Sequence, residues 1–250
     1  MSNNLQNKWR NLWVFGDSYT TPHECVDPAD SFWGLTAQWL NIPVVKNLSQ
    51  RGASLESVSH LLITQQQQYD WQRDFFIVGV PPVQRFLACS DDSILEYRVK
   101  DFDTKTWAES SRAIVDHMGL RSFHGWELPK NVVVNQSSQY IETQAMREIF
   151  WITQWLSSHC ANYVVVNLSR DLNKFNSAAS AQFLLEYCVY HPNCILFDST
   201  YYGINLDVHR PPDFDRWGWD GHHGAEGNKY FFEQSLKLFI TELLSTKKEI

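Results

Sequence analysis

Short runs of consecutive apolar residues alternate along this chain with longer stretches at helical spacing, and this alternation is what most constrains its fold. NLWVF at Asn11–Phe15, FFIV at 75–78, YVVVN at 163–167 and CILF at 194–197 are each long enough for a buried strand and too short for a buried helix. A strand that is apolar on both faces has to be covered on both faces. The arrangement that does so repeatedly is a parallel sheet between two layers of helices. The fold class expected is therefore α/β, a three-layer α/β/α sandwich. With 250 residues and 44% hydrophobic content, the chain is expected to form one domain over 1–250.

The elements between the runs are legible in the first half. SFWGLTAQWL at 31–40 reads as a helix begun by the N-cap Ser31, and Val44–Asn47 as a second strand. Leu55, Val58, Leu61 and Leu62 are at helical spacing within 55–69, and the glutamines at 65–68 fit the solvated end of that helix. From 81 to about 137, proline, charge and aromatics are interleaved, which reads as an irregular insertion shaping a substrate cleft, with room for short helices. Helices are expected again at 143–159, 178–190 and 224–244. Trp33 and Trp39, and Trp151 and Trp155, sit at helical spacing as packing residues.

Charge and cysteine usage exclude several function classes. A net charge of -7 with scattered lysine and arginine argues against nucleic acid as a partner. Five cysteines without a CxxC spacing fit free thiols in a reducing compartment. The first residues lack the apolar core of a secretory signal, no apolar run is long enough to cross a bilayer, and no amphipathic surface helix suggests membrane docking. A cytoplasmic protein acting on a small-molecule or carbohydrate partner is expected; the sequence does not bear on oligomeric state.

Two stretches carry chemistry. In Trp13–Tyr19, WVFGDSY, a strand runs directly into Gly16-Asp17-Ser18, placing a serine at the carboxyl end of a strand, where open α/β sheets bind ligands. Near the other end, Asp220-Gly-His222-His223 precedes the last helix. A serine hydroxyl becomes nucleophilic when a base removes its proton, and that imidazole needs a carboxylate to orient it. Asp220 with His223 or His222 offers both roles. The bland readings are a turn capped by Asp17 and a polar loop capping a helix. Metal binding by His209, Asp220, His222 and His223 is the weaker use of the same residues, because no recognised ligand spacing is present and Ser18 would be left without a role. Trp217 and Trp219 flank this stretch and would suit a sugar ring, though aromatic residues there also serve to anchor a loop.

In these blocks the chain resembles the SGNH (GDSL) hydrolases. Gly16-Asp17-Ser18 matches the first block of that family, Asn47-Leu-Ser-Gln-Arg-Gly52 the second, and Asp220-Gly-His-His223 the DxxH block. The resemblance implies a flavodoxin-like parallel sheet and ester hydrolysis through an acyl-serine, without cofactor or metal. It makes Ser18 the nucleophile, His223 the base with His222 as the alternative, and Asp220 the orienting carboxylate. The oxyanion hole is implied to use the amides of Ser18 and Gly52. One block departs: where the family has Gly-x-Asn-Asp, this chain reads Gly79-Val-Pro81-Pro82, and proline donates from neither side chain nor backbone. Gln84 or Arg85 is expected to supply the third donor. The expected substrate is a short-chain acyl ester of a carbohydrate or small metabolite. An acyltransferase using the same acyl-enzyme is one variant. The alternative from another class is a non-catalytic carbohydrate-binding or assembly protein on a degenerate SGNH scaffold.

Overall fold

The first strand, β1 (Asn11–Phe15), is buried along its whole length. In the computed structural model the described residues are 8–17, 20–21, 27–50, 53–81, 85–90, 93–98, 138–159, 162–167, 193–195 and 224–246. They form β1, helix α1 (Phe32–Leu40), β2 (Val44–Asn47), α2 (Leu55–Thr64), β3 (Asp74–Val80), β4 (Arg85–Ser90), β5 (Ser93–Arg98), α3 (Ser138–Ser158), β6 (Asn162–Asn167) and β7 (Cys194–Ile195). At the C-terminus, α4 (Ala225–Phe231) continues through a π turn (Phe232–Leu236) into α5 (Lys237–Thr246). The expected helix at 178–190 lies outside the described residues.

Five strands pair in the order β2-β1-β3-β6-β7, every pair parallel. Counted within this sheet alone, that is the 2-1-3-4-5 order of a flavodoxin-like fold. The register aligns Phe15 with Val78 and Val80 with Asn167, so β1, β3 and β6 end at one edge.

Strand alternation sorts the core into two halves. On one face Trp13, Phe15, Phe76, Val78, Val80, Tyr163 and Val165 meet Leu55, Val58 and Leu62 of α2 and Met146, Ile149, Ile152 and Leu156 of α3. On the other, Leu12, Val14, Phe75, Ile77, Val164 and Val166 meet Phe32, Trp33 and Leu40 of α1 and Phe231, Phe232, Leu236 and Ile240 of the C-terminal helices. This is the three-layer sandwich. Each such buried aliphatic or aromatic side chain contributes about 1.5–3 kcal/mol over its exposed state, so the period-2 pattern fixes the register strongly.

Local signals set the element ends. Ser31 Oγ accepts a hydrogen bond from the Gly34 amide at 3.0 Å to cap α1, and Asn41, at φ 53, ends it in the left-handed conformation. Ser54 caps α2 in the same way through the Ser57 amide at 3.3 Å. The glutamine run ends α2 in an exposed 3-10 turn at Gln66–Gln68. Trp151 and Trp155 stack on α3 with centroids 5.8 Å apart and pack at the border of the core, as the helical spacing implied. Among the described strands β2 lies at the edge of the sheet, and Val44 and Val45 are exposed there.

At the opposite edge from the strand ends, the buried Asp74 ties the sheet together. Its carboxylate accepts hydrogen bonds from Arg10 Nε at 3.0 Å and Nη2 at 2.9 Å, Asn11 Nδ2 at 2.9 Å, Trp13 Nε1 at 2.8 Å and the Asp70 amide at 3.0 Å. Burial acts to raise this carboxyl, but the bonds from Arg10, Asp70 and Trp13 outweigh it and hold the group below the usual carboxylate range.

One expectation is refined. The beginning of the irregular 81–137 stretch is an antiparallel hairpin, β4 with β5, in register from Arg85 opposite Arg98 to Ser90 opposite Ser93. Residues 99–137 lie outside the described residues.

Candidate functional site

In a parallel sheet of this order, the chain leaves β1 toward β2 and returns across it to β3. The reversal leaves a crevice at the carboxyl ends of β1 and β3, where such folds bind ligands. The residues reaching that point are Gly16 after β1, Asn47 at the end of β2, and Gly79 near the end of β3. These are members of the first, second and third sequence blocks.

The first block turns sharply. Gly16 has φ 148, a backbone conformation that suits glycine, and a Cβ on it would collide with the Thr20 hydroxyl and come within 3.1 Å of the Gly79 carbonyl. The Asp17 carbonyl accepts four hydrogen bonds, from the amides of Thr20 at 3.0 Å and Thr21 at 2.9 Å and from their hydroxyls at 2.8 and 3.0 Å. Asp17 itself is buried. Its backbone carbonyl thus organises the turn.

The second block is tied to the first by backbone and side chain. The Leu48 amide donates to the Val14 carbonyl at 2.8 Å and the Gln50 amide to the Gly16 carbonyl at 3.0 Å. Asn47 Nδ2 donates to the Thr20 carbonyl at 2.9 Å, while its Oδ1 accepts from the Ser49 amide at 2.9 Å. Trp33 Nε1 also donates to the Thr20 carbonyl, at 2.9 Å. Thr20 is therefore a junction of the β1 turn, the β2–α2 loop and α1. Its methyl also lies against Gly79, where a Cβ would collide with it.

The third block ends in a buried Pro81, directly after the last residue of β3. Arg85 opens β4, opposite Arg98, in the hairpin that follows. The residues that follow the C-terminal block are held against α1. Asn228, in the first turn of α4, accepts a hydrogen bond from the Phe32 amide at 3.1 Å and donates to the Gly224 carbonyl at 3.0 Å. Phe231 packs edge-on against Phe32 with centroids 5.5 Å apart. Since α1 runs back from the carboxyl edge of the sheet, its first turn lies at that edge, and Gly224, the residue after His223, is brought there.

The structure thus brings together the described flanks of the expected site: Gly16 and Asp17 before Ser18, Gln50 and Ala53 around Gly52, and Gly224 after His223. Ser18, Gly52, Gln84, Asp220, His222 and His223 themselves lie outside the described residues, as do His209, Trp217 and Trp219. Among the described residues, no group of three or more histidine, cysteine or acidic side chains is placed to hold a metal. Sequence reasoning assigned no role to Thr20 or Asn228, and it marked Trp33 as a packing residue, which it is, but not as a donor to the Thr20 carbonyl. The only signal for Thr20 was its place two residues after Ser18, and none pointed to Asn228.

The similar solved structures include GDSL-family hydrolases. A phospholipase A1 from Streptomyces albidoflavus is 14% identical, with 92% of this chain and 99% of that chain covered and a TM-score of 0.49. A member of the lipolytic protein G-D-S-L family from Veillonella parvula is 12% identical, covering 92% and 98%, at 0.45. The psychrotrophic esterase EstA from Pseudoalteromonas sp. is 10% identical, covering 94% and 99%, at 0.46. No protein-family model matches the sequence, and no curated protein matches it. The fold class rests on the strand order and register.

Proposed function

We propose that this chain is a serine esterase of the SGNH type, cleaving a short-chain acyl ester of a carbohydrate or small metabolite. The observation that carries the reading is the direct tie between the first two blocks, Asn47 Nδ2 to the Thr20 carbonyl and the Gln50 amide to the Gly16 carbonyl, at the carboxyl edge of β1. A nucleophile and an oxyanion donor on different loops work only if the loops are fixed to one another within fractions of an ångström. A scaffold without that task has less need of such a bond.

In this reading Ser18 attacks the ester carbonyl while His223 takes its proton, and Asp220 orients the imidazolium. The amides of Ser18 and Gly52 hold the oxyanion, His223 returns the proton to the leaving alcohol, and water then deacylates the serine. Gln84 or Arg85 supplies the third donor. Loss of one such donor costs about 10²–10³ in rate, so unchanged turnover in both Gln84→Ala and Arg85→Ala removes that assignment. His222→Ala with full activity, against His223→Ala without it, settles the base.

The test of the esterase reading is hydrolysis of aryl acetate against aryl esters of longer acyl chains, with Ser18→Ala as control. Acetate turnover that Ser18→Ala abolishes supports it, and a rate equal in the two proteins contradicts it. The second reading, a non-catalytic carbohydrate-binding or assembly protein on the same scaffold, is favoured by one observation. Pro81 is buried where an oxyanion donor is expected.

A further inference from the structure

The geometry points to Thr20 as the positioning residue of the nucleophile turn, acting on Ser18 through Asp17 and through the contacts with Gly79 and Asn47; this rests on the esterase reading. Several contacts, two of them through the side chain, converge on this one buried residue. Its hydroxyl and amide both donate to the Asp17 carbonyl, at 2.8 and 3.0 Å, tying residue 20 back to residue 17. Its carbonyl accepts from Asn47 Nδ2 and Trp33 Nε1, both at 2.9 Å, fixing the turn to the β2–α2 loop and to α1. Its methyl occupies space left open by glycine at 79, and its hydroxyl space left open by glycine at 16.

The consequence is mechanical. Residue 20 ties the turn after β1 to β2, α1 and β3, alongside the Thr21 bonds to the Asp17 carbonyl and the Gln50 amide bond to the Gly16 carbonyl. The carbonyl bonds survive any substitution there, but the hydroxyl bond and the methyl contact do not. Without the hydroxyl the turn loses one of its closures; without the methyl it gains room to settle toward β3. Either change moves Ser18 relative to the loop that carries Gly52. Displacements on the ångström scale at a reacting group cost on the order of 10²-fold in rate.

Valine and serine separate the two contributions: Thr20→Val keeps the methyl and deletes the hydroxyl bond, and Thr20→Ser does the reverse. The readout is the rate of covalent labelling of Ser18 by a fluorophosphonate, measured across pH on protein shown to be folded. Asp74→Asn serves as a destabilised control, because its network lies at the opposite edge of the sheet. Thr20→Val and Thr20→Ser are each expected to lower the plateau rate about tenfold, with Asp74→Asn labelling at the wild-type rate. A stability role alone leaves the plateau of folded protein unchanged.

Labelling of both Thr20 variants within twofold of wild type overturns the assignment, as does an equal drop in Asp74→Asn. If one Thr20 variant fails to fold, the other decides. If wild type itself takes no label at Ser18 under conditions that label a control serine hydrolase, the esterase reading falls first and this assignment with it. Normal labelling of wild type with unaffected Thr20 variants removes only the assignment.

Discussion

The side-chain oxygen of Asn228 accepts a hydrogen bond from the main-chain amide of Phe32 at 3.1 Å, joining residues 196 apart in sequence. The same side chain donates to the Gly224 carbonyl. One asparagine thus caps an otherwise open amide at the start of α1 and fixes the beginning of the last helix, next to the Asp220–His223 block. The latch ties the start of α1 to Gly224, the residue that follows the Asp220–His223 block in sequence.

Asn228→Ala removes both bonds and is expected to cost about 1–2 kcal/mol, the usual range for losing a helix-start partner. Because the latch adjoins the block proposed to carry the base, the esterase reading expects ester turnover to fall by more than the folded fraction does. Thermal unfolding and turnover on the same preparation check this. A variant with wild-type turnover shows that the C-terminal block is held by other contacts.

Asp74→Asn replaces an acceptor of five hydrogen bonds by a group with one acceptor oxygen, and is expected to cost about 2–3 kcal/mol at neutral pH. The sign of its pH dependence follows from the lowered carboxyl. Its stabilisation is present above the unfolded carboxylate value of about 3.9 and is lost as pH falls through the lower folded value. Denaturant titrations between pH 2 and 7 should show wild type and variant converging at acid pH. A constant gap across that range contradicts the network's role.

Glu56 behaves in the opposite way. Burial pushes its carboxyl up, only partly offset by hydrogen bonds from its own backbone and Ser54, and its Oε2 is buried without a hydrogen-bond partner among the described residues. A raised folded value means the group favours folding below the unfolded value of about 4.3, and that this is lost as pH rises through the folded value. Glu56→Gln is therefore expected to raise the melting temperature at pH 7 and to lose that advantage near pH 4. A lower melting temperature at pH 7 contradicts it.

Gly79→Ala forces a Cβ against the Thr20 methyl and is expected to cost about 1–3 kcal/mol through overpacking. Thr20→Ser removes that methyl. The double variant should recover part of the loss, giving a coupling of at least about 0.5 kcal/mol in a double-mutant cycle. Strict additivity means the two positions do not compete for the same space.

Much of the sheet was legible because β1, β3 and β6 are covered on both faces, and only continuous apolar runs such as FFIV and VVV satisfy that. The hairpin was not. RFLACS and SILEYR alternate weakly and carry Arg85, Glu96 and Arg98, and the Asp91-Asp92 pair between them lacks the glycine that marks a two-residue hairpin in sequence. The π turn at Phe232–Leu236 left no mark in the helical periodicity, and the early start of α3 at Ser138 lies in polar sequence. In the site, the glycines and the Asn47 spacing were readable because local backbone demands restrict residue type. Thr20, Trp33 and Asn228 were not, because their roles come from partners on other elements, which no local pattern encodes.

The most direct test of the central claim is labelling of the intact protein by a fluorophosphonate, located by peptide mapping, in wild type, Ser18→Ala and His223→Ala. The account predicts a single adduct on Ser18, absent from Ser18→Ala and lost or strongly slowed in His223→Ala. Absence of any adduct under conditions that label a control serine hydrolase, or an adduct that persists in Ser18→Ala, would contradict it.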